Sequence, residues 1–495
     1  MKKSKVLLIT ASSVCLVAST AAIAAQTTVV QQPGKKTTAT TVQKTPQAVT
    51  SPQKKTIYQP ADADIQSPTM MDPGPRKHLG AFINMGPESR IQINGFLSAG
   101  ISGSTATPVS PYVNDAATGG AASYNRGYVI PERGLVSNKV GFAANSLVGL
   151  QFTGNITSSL AAVAQFVSSG SELDGNDAYD IQTQWAFVRY RPNNQWQLRA
   201  GRMRIPLFAY SDTQEIAYTY PWVFLPNTVY RIVPFNNFNG ADIVFSQPLG
   251  DSDWLLSIHP FYGANDSKFN TITQGFVGTT RPAGSGTCNS AAGSNSNCAP
   301  VLLQFNENGI IGAELTIGSD QIQVRGSYAH ASLDGSASSP YGYNIQTLSG
   351  DNAYFYSVGL KLAFDWFHFQ SEFASRHAQQ ASGGDGSVAN LNGYYGMVGG
   401  QFGRWFPNVT YGRLTTTNRA TLLTANALSG TLNTNEAPQA EEDWTLGVAY
   451  TVNGNVVVKA NATRVRTLDG TWGLFNYNPG TGSNWLFSGS VDVIF

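Results

Sequence analysis

From residue 90 to residue 495 the chain alternates. In RIQINGFLSAGIS (90–102), Ile91, Ile93, Leu97, Ala99 and Ile101 share one parity, and Gln92, Asn94, Ser98 and Ser102 take the other. QIQVRGSY (321–328) sets Ile322, Val324 and Tyr328 against Gln321, Gln323, Arg325 and Ser327. Tyr356, Val358, Leu360 and Leu362 oppose Ser357, Gly359 and Lys361, and Trp444, Leu446, Val448 and Tyr450 oppose Thr445, Gly447 and Thr451. The last segment, NWLFSGSVDVIF, puts Trp485, Phe487, Gly489, Val491, Val493 and Phe495 on one parity. A period of two predicts strands with two unlike faces. The polar faces carry charge, including Glu314, Arg325, Lys361 and Glu372.

The connections alternate as well, in length. Short turns are expected near 156–159, 192–194, 248–252, 318–320, 364–365, 404–408 and 452–454. Long polar loops are expected at 103–138, 169–180, 204–240, 264–306, 333–352, 378–391, 418–441 and 467–483. Seven short turns and eight long loops make sixteen strands. A soluble sandwich has no reason to collect every long loop at one end. An even-stranded membrane barrel does so, with lipid against its apolar face and water inside. The predicted fold is all-β, a transmembrane antiparallel β-barrel of 16 strands over residues 90–495.

Composition agrees. Length alone would suggest about three soluble domains, but charged residues are only 12% of the 495, about half the usual ~25%. Formal net charge is +1, so no global field points to nucleic acid. Residues 1–25 read as a secretory signal: Lys2, Lys3 and Lys5, then a mostly apolar run, then small residues around Ala22–Ala25. Beyond it no stretch approaches the ~18 apolar residues of a membrane helix, so an exported chain of this kind crosses a bilayer only as a closed barrel. Residues 26–89 are a Thr-, Pro- and Lys-rich segment expected to be disordered and periplasmic. Its lysines within 26–60 make peptidoglycan a candidate partner. Cys288 and Cys298 lie in one Gly/Ser/Asn-rich stretch, where either a disulfide after export or two free thiols is possible chemistry.

The alternating last strand with its aromatic final residue, Phe495, resembles the bacterial outer-membrane porins. The resemblance covers about residues 90–495. It implies an outer-membrane location, contact with lipid and lipopolysaccharide, a homotrimer, and a terminal strand that the barrel-assembly machinery reads as its signal. The stretch QWQLRAGRMRIPLFAYSDTQEIAYTYPWVFLPNTVY (195–230) is similar to a branch related to phosphate-selective and dicarboxylate-type porins: a GRxRxP strand exit, an acidic SDTQE segment, then YPW. By this resemblance the third loop, 204–240, folds inward and narrows the pore.

The chemistry to look for is therefore a transverse field across a water-filled lumen. Arg189, Arg199, Arg202 and Arg204 cluster around the 192–194 turn and the loop entry, with Asp212 and Glu215 as the opposite sign. Arg keeps its charge at ordinary pH and matches carboxylate and phosphate oxygens. Arg189 and Arg191 share a parity with Phe187, whereas Arg199 is on the opposite parity from Arg202. Arg325, Lys361 and Lys459 are further lumen candidates. Tyr218, Tyr220 and Trp222 fit either a solute slide or packing that fixes the loop. The acidic run Glu441-Glu442-Asp443 raises a divalent site bridging lipopolysaccharide. No cofactor or resident metal is called for. There is no GxSxG, HExxH or P-loop pattern, so an enzyme is not expected. The functions left are passive diffusion of small hydrophilic solutes and ions, a substrate-specific channel for phosphate or small carboxylates, and a surface adhesin or structural barrel.

Overall fold

The structure is a computed structural model that describes residues 81–84, 90–106, 127–130, 133–170, 179–233, 235–270, 279–280, 299–300, 302–338, 344–379, 388–419, 438–475, 479 and 482–495. The expected signal (1–25), the Lys-rich tail (26–60), Cys288 and Cys298 lie outside these residues.

In chain order the strands are β1 (Ala81–Asn84), β2 (Arg90–Ser104), β3 (Tyr128–Ile130), β4 (Gly134–Val136), β5 (Leu147–Asn155), β6 (Leu160–Ser169), β7 (Ile181–Tyr190), β8 (Trp196–Arg204), β9 (Asn237–Pro248), β10 (Leu255–Asn270), β11 (Thr279–Thr280), β12 (Ala299–Pro300), β13 (Leu302–Gly318), β14 (Ile322–Ser338), β15 (Asn344–Phe364), β16 (Phe367–Gln379), β17 (Leu391–Gly400), β18 (Trp405–Thr416), β19 (Ala440–Asn453), β20 (Val456–Thr467) and β21 (Ser483–Ile494). Sixteen of them form the wall: β2, β5–β10 and β13–β21. Each pairs antiparallel with the next, and β21 returns to β2 with Phe96 opposite Ile494. Closure leaves no open edge, which hydrocarbon would not tolerate.

Phe495 completes the seam. Its N–H donates to the Gly95 carbonyl at 2.9 Å, and the Gly95 N–H donates to its carbonyl at 2.7 Å. Glycine at 95 leaves room for the Phe495 ring, whose edge a Cβ would approach well inside van der Waals contact, so the ring would have to move for any larger residue. Below that point β1 takes over the edge, pairing Ala81 with Ile93 and Asn84 with Arg90. Ala81–Asn84 lie inside the 26–89 stretch expected to be disordered, and they are strand instead. The free backbone groups of β2 beyond the reach of β21 are what they satisfy.

The two faces have the polarity of a membrane barrel. On β15 and β19, Val358 and Leu446 are each 56% exposed, while their neighbours Ser357 and Thr445 are 3% and 9%. Exposed aromatic residues ring both ends. Tyr190, Trp196, Trp254, Phe364, Trp366, Phe402, Trp405 and Phe495 mark the short-turn end, and Tyr262, Tyr328, Tyr356, Tyr394, Trp444 and Phe487 the long-loop end. Tyr356 and Phe364 are eight positions apart on β15, roughly 26 Å of strand. Tilted, that length fits the ~25 Å apolar band of such barrels. An even strand count, short turns at one end and long loops at the other make this a barrel of the bacterial outer membrane.

Two long loops are shorter than expected. β14 and β15 run on as a paired hairpin to Ser338 and Asn344, and β10 and β13 extend to Asn270 and from Leu302. These extensions stand above the apolar band, so their residues need no alternation. Backbone pairing carries them, with side-chain bonds such as Asn308 Nδ2 to Asp334 Oδ2 at 3.0 Å added, and the sequence pattern is silent there.

Candidate functional site

Five strands carry a row of charges on the inner face. Register sets Arg199 opposite Asp242 and His259 opposite Glu314, with Arg325 one strand further on. Arg199 grips Asp242 with two parallel hydrogen bonds, Nε to Oδ1 at 2.9 Å and Nη2 to Oδ2 at 2.7 Å. His259 follows, with Nε2 2.9 Å from Asp242 Oδ2 and Nδ1 3.7 Å from Glu314 Oε2. Arg325 Nε donates to Glu314 Oε1 at 2.9 Å, and the Thr316 hydroxyl donates to the same oxygen at 2.8 Å. Fork-on-carboxylate geometry fixes the positions as well as the charges.

The segment 205–236 faces this row. Leaving β8, it makes a 3₁₀ turn at Ala217–Thr219 and a short helix, α1 (Asn227–Tyr230). It is bound to inner-face side chains along the depth of the wall. The Leu207 carbonyl accepts from Ser327 and Ser357 at 2.9 and 2.7 Å. Glu372 accepts from the Ala209 N–H at 2.7 Å and from the Tyr230 and Tyr395 hydroxyls at 2.9 Å. Trp222 Nε1 donates to Thr410 at 2.8 Å, and the Tyr218 hydroxyl donates to the Gly454 carbonyl at 2.9 Å, at the short-turn end. Gly393 and Gly412 let α1 approach, since a Cβ at either would collide with Thr228. Trp222, Tyr218, Tyr220 and Tyr230 are all fully buried. Of the two uses open to Tyr218, Tyr220 and Trp222, their geometry is that of packing.

A small gap remains between the two sides. Ser211, Asp212 and Thr213 line it from the loop, and Glu314, Gln323 and Arg325 from the wall. Burial raises the Asp212 carboxyl above its ordinary pKa, and the nearby charges of Arg199, His259 and Arg325 pull the other way.

The remaining expected residues are distributed as follows. Arg189 is on the inner face, half-buried, in register with Arg199. Arg204 and Glu215 form a buried ion pair at 2.9 Å, and Arg133 from the first loop joins it at 3.5 Å. Lys361 is half-buried between Gln323 and Gln370, with no hydrogen bond or ion pair among the described residues. Lys459 is fully buried and is no open lumen charge. Its Nζ pairs with Asp492 at 2.8 Å, donates to the carbonyls of Ala217 and Trp222, and lies 4.9 Å from the Tyr220 ring centre.

Arg202 does not join the row. It stands in register between Ala186 and Asn239, both exposed on the outer face, and its Nε donates to the Thr183 carbonyl at 2.8 Å. Its parity, opposite to that of Arg199, carries it outward. The acidic run 441–443 does not gather either. Glu441 and Asp443 are buried on the inner face, where Glu441 accepts from the Tyr128 hydroxyl, while Glu442 is outward and paired with Arg466. Alternation splits the three, so they cannot share one cation.

Asp242 was not among the expected residues. Its only sequence signal is a carboxylate on the polar parity of β9, which does not name its partner.

No family model and no curated protein matches the chain. Solved structures of similar shape include OmpF of Salmonella typhi in complex with daunomycin, at 12% identity and TM-score 0.48, covering 84% of this chain and 100% of that one. An anion-selective porin from Comamonas acidovorans gives 11% and 0.48 over 82% and 100%. The outer membrane channel DcaP of Acinetobacter baumannii gives 12% and 0.46 over 84% and 100%. The fold assignment stands on strand register and polarity, independently of these likenesses.

Proposed function

We propose that the chain is a porin-type channel, passing small hydrophilic solutes and ions by diffusion through a lumen narrowed by segment 205–236. The supporting observation is the polar gap between that segment and the charged inner row. A closed barrel needs neither charge inside nor a fixed inward loop merely to exist, and both are what a pore needs to keep ions solvated and to sort them. Arg199 and Arg325 are neutralised by Asp242 and Glu314, which argues for a weakly selective pore. The test is the zero-current potential of the purified protein in a planar bilayer under a salt gradient. A stable conductance with a small potential is expected. A folded barrel that never conducts refutes the reading.

A substrate-specific anion channel, for phosphate or small carboxylates, is the second reading. The half-buried Arg189, Arg191 and Lys361 near the short-turn end favour it. It requires a strongly anion-selective potential and current block by phosphate or succinate.

Assembly as a homotrimer belongs to the same proposal. Exposed Ala162, Ala186, Ala200 and Ala241 on neighbouring strands β6–β9 offer a flat outward patch that a second copy can approach closely. Native mass spectrometry showing only monomer refutes it.

A further inference from the structure

Charge on the outward face of a membrane strand is destabilising in the middle of the bilayer and tolerated near its surface. β18 and β20 carry three arginines there, one on β18 and two on β20, on either side of β19. Register lays Arg413, Glu442 and Arg466 side by side, with Arg464 beside Trp444. The Arg466 side chain is 53% exposed and meets Glu442 at 2.6 Å. Arg464 is exposed and Arg413 half-exposed. Neither makes a hydrogen bond or ion pair among the described residues. One carboxylate faces three guanidiniums, and the flanking Glu441 and Asp443 are buried on the other face.

The level of this cluster is set by the rings just beneath it. Tyr411 packs on Trp444 at 4.8 Å and on Tyr394 at 6.2 Å between centroids. Such aromatic rings mark the boundary between acyl chains and headgroups. With strands about 4.8 Å apart, Arg413 and Arg466 flank Glu442 over roughly 10 Å, and Arg464 lies roughly 7 Å below Arg466. Arginine's planar fork matches phosphate oxygens, and three forks over that span suit a headgroup with more than one phosphate. Among the described residues, no other part of the outer face brings three arginines together.

We propose that this corner of β18–β20 binds the headgroup of a multiply phosphorylated lipid in the leaflet at the long-loop end. Arg413, Arg464 and Arg466 hold the phosphates, and Trp444 and Tyr411 lie against the start of the acyl chains. The inference goes beyond the channel reading and does not depend on conduction.

The test is native mass spectrometry of the full-length protein in detergent, titrated with lipid A carrying two phosphates and with its monophosphoryl form. Wild type should retain the two-phosphate form more strongly. Arg413→Ala/Arg464→Ala/Arg466→Ala should weaken binding by roughly a hundredfold, the weight of three arginines at an anionic surface. Arg→Lys at the same positions should fall between, and Glu442→Gln should bind more tightly. An unchanged β-sheet circular-dichroism signal and unfolding temperature in detergent identify a folded variant. Equal retention of both lipids, or full retention by the folded triple variant, overturns the proposal. So does displacement of the lipid by millimolar inorganic phosphate, which would make this a free-phosphate site. A variant that changes oligomer mass but not lipid retention would make it an interface between copies instead.

Discussion

Replacing Lys459 with alanine should loosen the inward segment while leaving the wall closed. Lys459 joins a wall carboxylate, two loop carbonyls and a loop aromatic ring. Asp492, its partner, is 1% exposed. Removing one member of a buried ion pair costs about 3–5 kcal/mol, because the other charge is left without compensation. The carbonyls of Ala217 and Trp222 lose their charged donor in the same step. If most of that energy is taken from loop docking, the undocked population grows by about two to three and a half orders of magnitude. The assay is single-channel recording. The parent should conduct quietly, and Lys459→Ala should show larger, flickering openings with an unchanged barrel unfolding temperature. Lys459→Met with Asp492→Leu removes both charges, relieving the unpaired carboxylate, and should still not restore quiet conduction, since the loop carbonyls stay unserved. A Lys459→Ala barrel with parental conductance and noise would refute the reasoning.

Three further outcomes follow from the same geometry. Gly393→Val should displace α1 without altering any charge, since its side chain would enter the space of Thr228; larger conductance at unchanged ion preference is expected from the same recordings. Asp212→Asn removes a negative charge from the gap, so the zero-current potential should move toward anions. Because burial raises the Asp212 carboxyl, acidification should produce the same move in the parent, beginning above the ordinary carboxylate range, and Asp212→Asn should abolish that part of the pH response. Gly95→Leu would collide with the Phe495 ring, and a reduced yield of closed, heat-resistant barrel on refolding is expected, measured by the fraction that keeps its β-sheet signal in detergent.

Most of the wall was legible in the residues. Alternation reports which face a side chain takes, and it does so locally, so β2, β14, β15, β19 and β21 could be read one at a time. Turn spacing then gave the strand count. Parity also correctly separated Arg199 from Arg202, although the expectation for the pore kept both. What could not be read was who meets whom. Arg199 and Asp242 are 43 positions apart, and Lys459 and Ala217 are 242 apart. Nothing in a local pattern carries that distance. Lys459 looked like a lumen charge because it lies on the polar parity; its role as an anchor depends on a loop arriving from the other side of the barrel.

The sequence by itself determined an all-β wall with one apolar and one polar face, long loops at one end, and sixteen strands. Local chemistry suffices for that, because each strand must show hydrocarbon one side and water the other. Only the tertiary structure decided the pairing of the inner charges, the path of 205–236 and the meeting of three arginines on the outer rim. Those depend on cross-strand register and closure, which bring together residues that no segment of the chain can specify alone.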